Sequence, residues 1–216
     1  MSYFRELPNL EYESPFATRI SSSSYVQAKN IFRRMKIRDD LQNIFTVFNK
    51  YEIRDGARPD TIAEEIYGKS DLDWVVLISA NIINVRDQWP LSSKDLYEYT
   101  VSKYGLENIN DVHHYETKEV KDSDGNLILS KGLVVDEYFS IRFKNGGTYI
   151  ERSNITNRIS NYEYETRENQ KKETIYLLKP SYLQQFLNDM RSEMTYSDSS
   201  QFVDKSLIRT QNTRVS

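Results

Sequence analysis

The chain has 216 residues, with 29 Lys and Arg against 32 Asp and Glu, a net charge of −3, and hydrophobic residues at 38%. That length fits one or two domains, with roughly 70% of the unfolded surface buried on folding. The balanced charge removes the electrostatic case for a nucleic-acid partner, and the absence of cysteine excludes disulfides, thiolate catalysis and zinc–thiolate sites.

Residues 1–24 read as an arm, with Pro8, Pro15 and the run Ser21–Ser24 and no sustained period. In IFRRMKIR (31–38), Ile31, Met35 and Ile37 share one face, which predicts a strand. A helix starting at Ser24, with Gln27 in a capping box, is the competitor. Residues 41–48 fit either period. YEIRDG (51–56) reads as a short strand ending in a turn. Pro59 then opens a helix, Asp60 sits in its first turn, Ile62–Ile66 and Ala63–Tyr67 form apolar i,i+4 pairs, and Gly68 stops it. A second helix, with Ser70 as candidate cap, is apolar over most of its surface and so expected to be buried on more than one side. A third runs from Ser92, with Asp95 as capping-box partner, to Gly105.

Beyond Gly105 the period changes to two. Segments 113–121 and 126–130 flank Asp124-Gly125, and 133–143 and 148–152 flank Asn145-Gly146, both strong hairpin signals. Segments 159–167 and 173–178 read as a third strand pair. Pro180 and Ser181 open a helix with Gln184 completing a box, and Leu183, Phe186, Leu187, Met190 and Met194 form its apolar face. Residues 197–216 read as a polar tail that is free or folds on a partner. The fold class expected is α+β, with an arm and connecting element (1–50), a helical module (51–105), a β-hairpin-rich domain with a C-terminal helix (106–196) and the tail.

Motifs for chemistry are sparse. AEEIYGKS (63–70) satisfies a relaxed phosphate-loop pattern, but Glu64, Glu65, Ile66 and Tyr67 fit the end of a helix and lack the glycine freedom a phosphate cradle needs. His113 and His114 are adjacent. On a strand they point to opposite faces and cannot share a metal, so strand histidines near a surface are expected. Asp122, Asp124 and Asn126 alternate like calcium ligands, yet Gly125 is fourth and position twelve is Leu133, so a turn is expected. No catalytic constellation, cofactor site or metal site is expected. Nor is a membrane partner, since no apolar run approaches the roughly 18 residues of a span. The acidic N-terminal stretch is unlike a signal peptide, which predicts a chain kept in a cytoplasm. The 16 tyrosines suit surfaces half-buried against another protein, or simply packing on strands.

The stretch YEIRDGARPDTIAEEIYGKSDLDWVVLISANI resembles a LysM-type module, a small βααβ unit most of whose members bind N-acetylglucosamine-containing glycans. It departs at the end: Asp87-Gln88-Trp89-Pro90-Leu91 and a helix stand where the family has a Pro-Gly turn and a closing strand. Across nearly the whole chain, MSYFRELPNLEY, GARPDTIAEEIYG, LDWVVLISANI with RDQWPLS, and SNYEYETRENQKKETIYLL resemble, in order, the LysM-containing baseplate wedge subunit of T-even-type contractile-tailed phages. That resemblance implies a non-enzymatic virion protein, assembled in the host cytoplasm. It would clamp neighbouring wedge proteins and tie wedges into a sixfold ring around the hub. Tyr51, Arg58, Trp74 and Trp89 are the candidate partner-interface residues, with core packing the competing reading for each tryptophan and for Trp74 above all, given its apolar helix. The alternative is a LysM-type glycan or peptidoglycan binding module of a tail or cell-wall protein, which would need an exposed aromatic platform beside the Gly56 turn.

Overall fold

The computed structural model describes residues 3–13, 25–37 and 46–210. In chain order the elements are α1 (Tyr3–Glu6), β1 (Asn9–Glu13), β2 (Tyr25–Lys29), β3 (Phe48–Glu52), α2 (Pro59–Tyr67), α3 (Asp73–Ser79), α4 (Val85–Gln88) and α5 (Ser93–Tyr104). They continue with β4 (Val112–Thr117), β5 (Val120–Lys121), β6 (Leu127–Leu129), β7 (Val134–Val135), β8 (Ile141–Asn145), β9 (Thr148–Arg152) and β10 (Thr156–Ser160). The last are α6 (Asn161–Glu173), β11 (Thr174–Leu178), α7 (Leu183–Glu193), β12 (Phe202–Asp204) and β13 (Leu207–Arg209), with 3-10 turns at Ser70–Leu72 and Pro180–Tyr182. The fold is α+β, and the chain divides into two compact units: residues 1–89 with 174–216, and 90–173. Among the described residues no helix is long and apolar enough to cross a membrane.

In the first unit the punctuation marks of the sequence set α2. Pro59 occupies its first turn and Gly68, at φ +72°, closes it by donating its N–H to the Glu64 carbonyl at 2.9 Å. Glu64–Tyr67 are therefore helix, and the relaxed phosphate-loop pattern is the end of that helix. The next helix begins with a 3-10 turn over Ser70–Leu72, and α3 buries Trp74, Val75, Val76, Ile78 and Ser79. Against α3 lies β11, which pairs antiparallel with β3 from Thr174↔Glu52 to Leu178↔Phe48. The segment 173–178 thus forms its expected strand, but its partner is β3 and not 159–167. The strand that closes β3–α2–α3 comes from beyond the inserted second unit.

The rest of this unit corrects two further expectations. The strand near residue 31 lies earlier, at 25–29. The Asn30 side chain accepts the Phe32 N–H at 3.2 Å, a local turn that ends the strand and leaves Phe32 88% exposed. Residues 202–209 are not a free tail. They form a sheet of order β12-β13-β1-β2, in which β13 runs parallel to β1. The arm contributes α1 and β1 to the same unit. The Ser21–Ser24 run, the Ser24 helix start, most of 41–48 and the tail end 211–216 lie outside the described residues. No side chain caps α7, which follows a 3-10 turn, so the box expected at Ser181–Gln184 is not made. Leu7, Ile62, Val75, Leu177 and Met190 lie at the centre of the unit's core.

In the second unit α5 begins as expected. The Asp95 N–H donates to Ser92 Oγ, and the Ser92 hydroxyl donates to Asp95 Oδ2 at 2.7 Å. Both Gly-containing turns carry their hairpins, β5–β6 and β8–β9. Asp122 Oδ1 accepts the N–H groups of Asp124 and Asn126, so the alternating acids serve a turn. Residues 161–173 are a helix, where a strand over 159–167 followed by a polar turn is expected from the sequence. Ser160 and Glu163 make a reciprocal box, Ser160 N–H to Glu163 Oε2 at 2.9 Å and Glu163 N–H to Ser160 Oγ at 3.2 Å. The face that α6 buries is polar: Asn161, Glu165 and Asn169, spaced four apart. Each is satisfied, Asn161 by the Asn108 carbonyl, Glu165 by Lys103 and Tyr104, and Asn169 by the Leu91 N–H and C=O. A small apolar cluster of Val120, Phe143 and Ile155 completes this unit.

Candidate partner-binding surface

The turn between β3 and α2 is the part of the first unit where three of the four expected site residues, Tyr51, Arg58 and Trp89, gather. Gly56 has φ +71°, which its missing Cβ permits. The Ala57 N–H returns to the Arg54 carbonyl at 2.9 Å. Trp89 seats itself against this turn: its indole N–H donates to the Ala57 carbonyl at 2.9 Å, and the residue is only 8% exposed. The chain reaches that position through α4, where Asn84 accepts the Arg86 N–H and Gln88 Oε1 accepts the N–H groups of Ile83 and Asn84. Trp89 is therefore a structural plug with its polar edge satisfied.

Trp74 is buried too, at 6%, with its ring between Tyr3 at 5.6 Å and Phe186 at 6.1 Å. Tyr51 and Arg58 are different. Tyr51, half-buried on β3, donates its hydroxyl to Glu65 Oε2 at 3.2 Å, and Arg54 reaches Glu65 Oε1 at 3.1 Å. Burial and the Glu65 carboxylate push the Tyr51 phenol above its ordinary value. Arg58 stands exposed before α2 and pairs with Asp60 at 3.2 Å. The geometry thus separates the four residues: two tryptophans inside, and Tyr51 and Arg58 on a rim of mixed charge that also holds Arg54 and Glu65, which no partner-binding motif in the sequence marks.

A second concave surface lies in the same unit. Segment 33–37 and α7 enclose about 750 Å³, with Met35, Ile37, Phe48, Phe186 and Met194 forming apolar walls. Arg34 and Lys36 line one side and Asp189 and Glu193 the other. Arg33 is committed to structure, since its guanidinium caps the end of α7 at the carbonyls of Met194 and Thr195. Phe32, and in the second unit Val134, Tyr138 and Tyr149, are exposed large apolar side chains.

Among the described residues no group of three or more His, Cys, Asp or Glu side chains converges on a metal position. The two histidines nonetheless depart from expectation. On β4, His114 faces Ile159 and Val112 faces Ser160, so His113 is an extra residue in a bulge. The bulge breaks the alternation that would send the two rings to opposite faces, and their Nδ1 atoms lie 2.8 Å apart.

These surfaces, on an α+β scaffold, find their context in a family model that matches residues 4–132, more than half of the chain. The class it defines is that of phage baseplate wedge proteins, structural components of the virion. The chain belongs to the family described as base plate wedge protein 53, and its place is the tail baseplate of the virion, in assembly with other baseplate proteins. A search of curated proteins gives no match.

Proposed function

We propose that this protein clamps neighbouring wedge proteins and helps tie adjacent wedges into a sixfold ring around the hub of a T-even-like contractile tail. The clamp is a LysM-like unit made of β3, α2, α3 and β11, turned to recognising protein. The observation that carries this reading is the state of the turn at Gly56. The aromatic ring seated against it is buried Trp89, whose N–H is already used, while the rim offers Tyr51, Arg54, Arg58 and Glu65. A mixed-charge rim beside a buried aromatic suits a protein surface, where polar contacts set register and partner choice. Trp74 and Trp89 support the clamp from within, and Tyr51 and Arg58 face the partner. The protein carries out no turnover in this role.

One observation favours a glycan-binding reading. The antiparallel pairing of β11 with β3 supports it, since a LysM module would carry a closing strand beside its first. Among the described residues the ring seated at the Gly56 turn is buried, which weighs against it. Titration of the full chain with chitin oligomers tests the choice: no saturable binding is expected, and saturable binding abolished by substitutions at the Gly56 turn would replace the protein clamp with a sugar site. Capture of other wedge proteins by the wild-type chain, lost in Arg58→Glu, is the positive test.

A further inference from the structure

His113 and His114 are the chain's only histidines, and it contains no cysteine. The bulge on β4 brings their Nδ1 atoms to 2.8 Å. The surroundings fix how each ring presents itself. His114 Nε2 lies 3.1 Å from Glu116 Oε1, and the other oxygen of that carboxylate accepts from Arg167 at 2.7 Å. That carboxylate, already accepting from Arg167, meets His114 Nε2 as an acceptor, so His114 Nε2 carries the hydrogen. The Nδ1 of His114 is then left with its lone pair. A carboxylate on the far nitrogen is the arrangement that orients metal-binding histidines and raises their basicity. The ring of His113 lies flat on Tyr164, centroids 3.9 Å apart and planes 8° apart, which fixes its orientation against α6.

Two imidazole nitrogens this close can turn onto one ion, and among divalent first-row ions nitrogen ligands hold Cu²⁺ most tightly. We propose that His113 and His114 chelate one divalent transition-metal ion through their two Nδ1 atoms, with Cu²⁺ held most tightly, Glu116 as the outer carboxylate and water in the remaining positions. Without metal, His113 Nδ1–H donates to His114 Nδ1. On binding, that proton leaves His113 Nδ1 and its Nε2 carries the ring hydrogen instead. His113 is exposed, so the ion enters from solvent. This site lies in the second unit and does not depend on the clamp at the Gly56 turn.

Titration of the full chain with Cu²⁺, followed by electron paramagnetic resonance with pulsed detection of imidazole nitrogens, decides the matter. The expected result is one saturating equivalent coordinated by two imidazoles. His113→Ala and His114→Ala should each remove one imidazole. Glu116→Gln should keep both while weakening affinity about 10–100-fold. A wild-type spectrum with fewer than two imidazoles would overturn the assignment whether or not the variants fold, as would a spectrum unchanged in both histidine variants.

Discussion

The Tyr67 hydroxyl donates to the Leu178 carbonyl at 2.8 Å, joining α2 to β11 across 111 residues of chain. Burial pushes the Tyr67 phenol well above its ordinary value, so it remains a donor at all working pH. The bond secures the strand that returns after the inserted unit. Tyr67→Phe leaves the carbonyl without this partner and should cost about 1–3 kcal/mol, read as a lower urea midpoint at unchanged slope. An unchanged midpoint would mean that the strand is held by its ladder with β3 alone.

Trp89 should behave as a core residue. Trp89→Ala is expected to cost about 3–5 kcal/mol through lost packing and a void under the Gly56 turn. Trp89→Phe should cost less, because it keeps most of the apolar contact and loses the bond to Ala57. Thermal unfolding of the two variants checks the order. Equal losses would place the whole effect in the hydrogen bond.

In the second unit, Asn169→Leu tests the polar stripe of α6. The substitution keeps the volume close but withdraws partners from both the N–H and the C=O of Leu91. A loss of about 1–3 kcal/mol is expected by equilibrium denaturation, against the gain that burying an apolar side chain would otherwise give. A stabilised variant would show that the Leu91 backbone is satisfied by water.

Those helices also mark how far the sequence was legible. The limits of α2 and α5 could be read because Pro59, Gly68, the Ser92–Asp95 pair and Gly105 are local signals whose physics acts within one turn. The two Gly turns of the second unit were legible for the same reason. Helix α6 was not, because its inward face is Asn161, Glu165 and Asn169 and no apolar stripe marks it, while Tyr162 and Tyr164 imitate a strand's alternation. The capping pair Ser160–Glu163 was the available signal. The pairing of β3 with β11 has no local signature, since its partner lies beyond the inserted unit. At the candidate surface, Arg58 could be expected at the mouth of α2, but the burial of Trp89 depends on α4, which no period announces. The meeting of His113 and His114 follows from one unpaired residue in the β4–β10 register, which composition cannot reveal.

Acid should loosen the tie between the chain's two ends. Glu6 accepts from Arg191 at 2.7 and 3.2 Å, and that bond holds the Glu6 carboxyl below its ordinary value of 4.5. A carboxyl depressed in the folded state stabilises above its unfolded pKa, and the contribution is lost as pH falls through the folded pKa. Wild type should therefore exceed Glu6→Gln in Tm at pH 6–7, with the gap narrowing from about pH 4.5 downward. A gap independent of pH would assign the effect to packing.

The protein is a baseplate component that assembles with other baseplate proteins. Co-expression with the remaining baseplate wedge proteins, followed by affinity capture and size exclusion, measures that directly. The chain should elute within a wedge complex, and Arg58→Glu should fall out of it while remaining folded, as its unfolding transition checks. A wild-type chain that elutes as a monomer in the presence of every wedge protein would contradict the clamp.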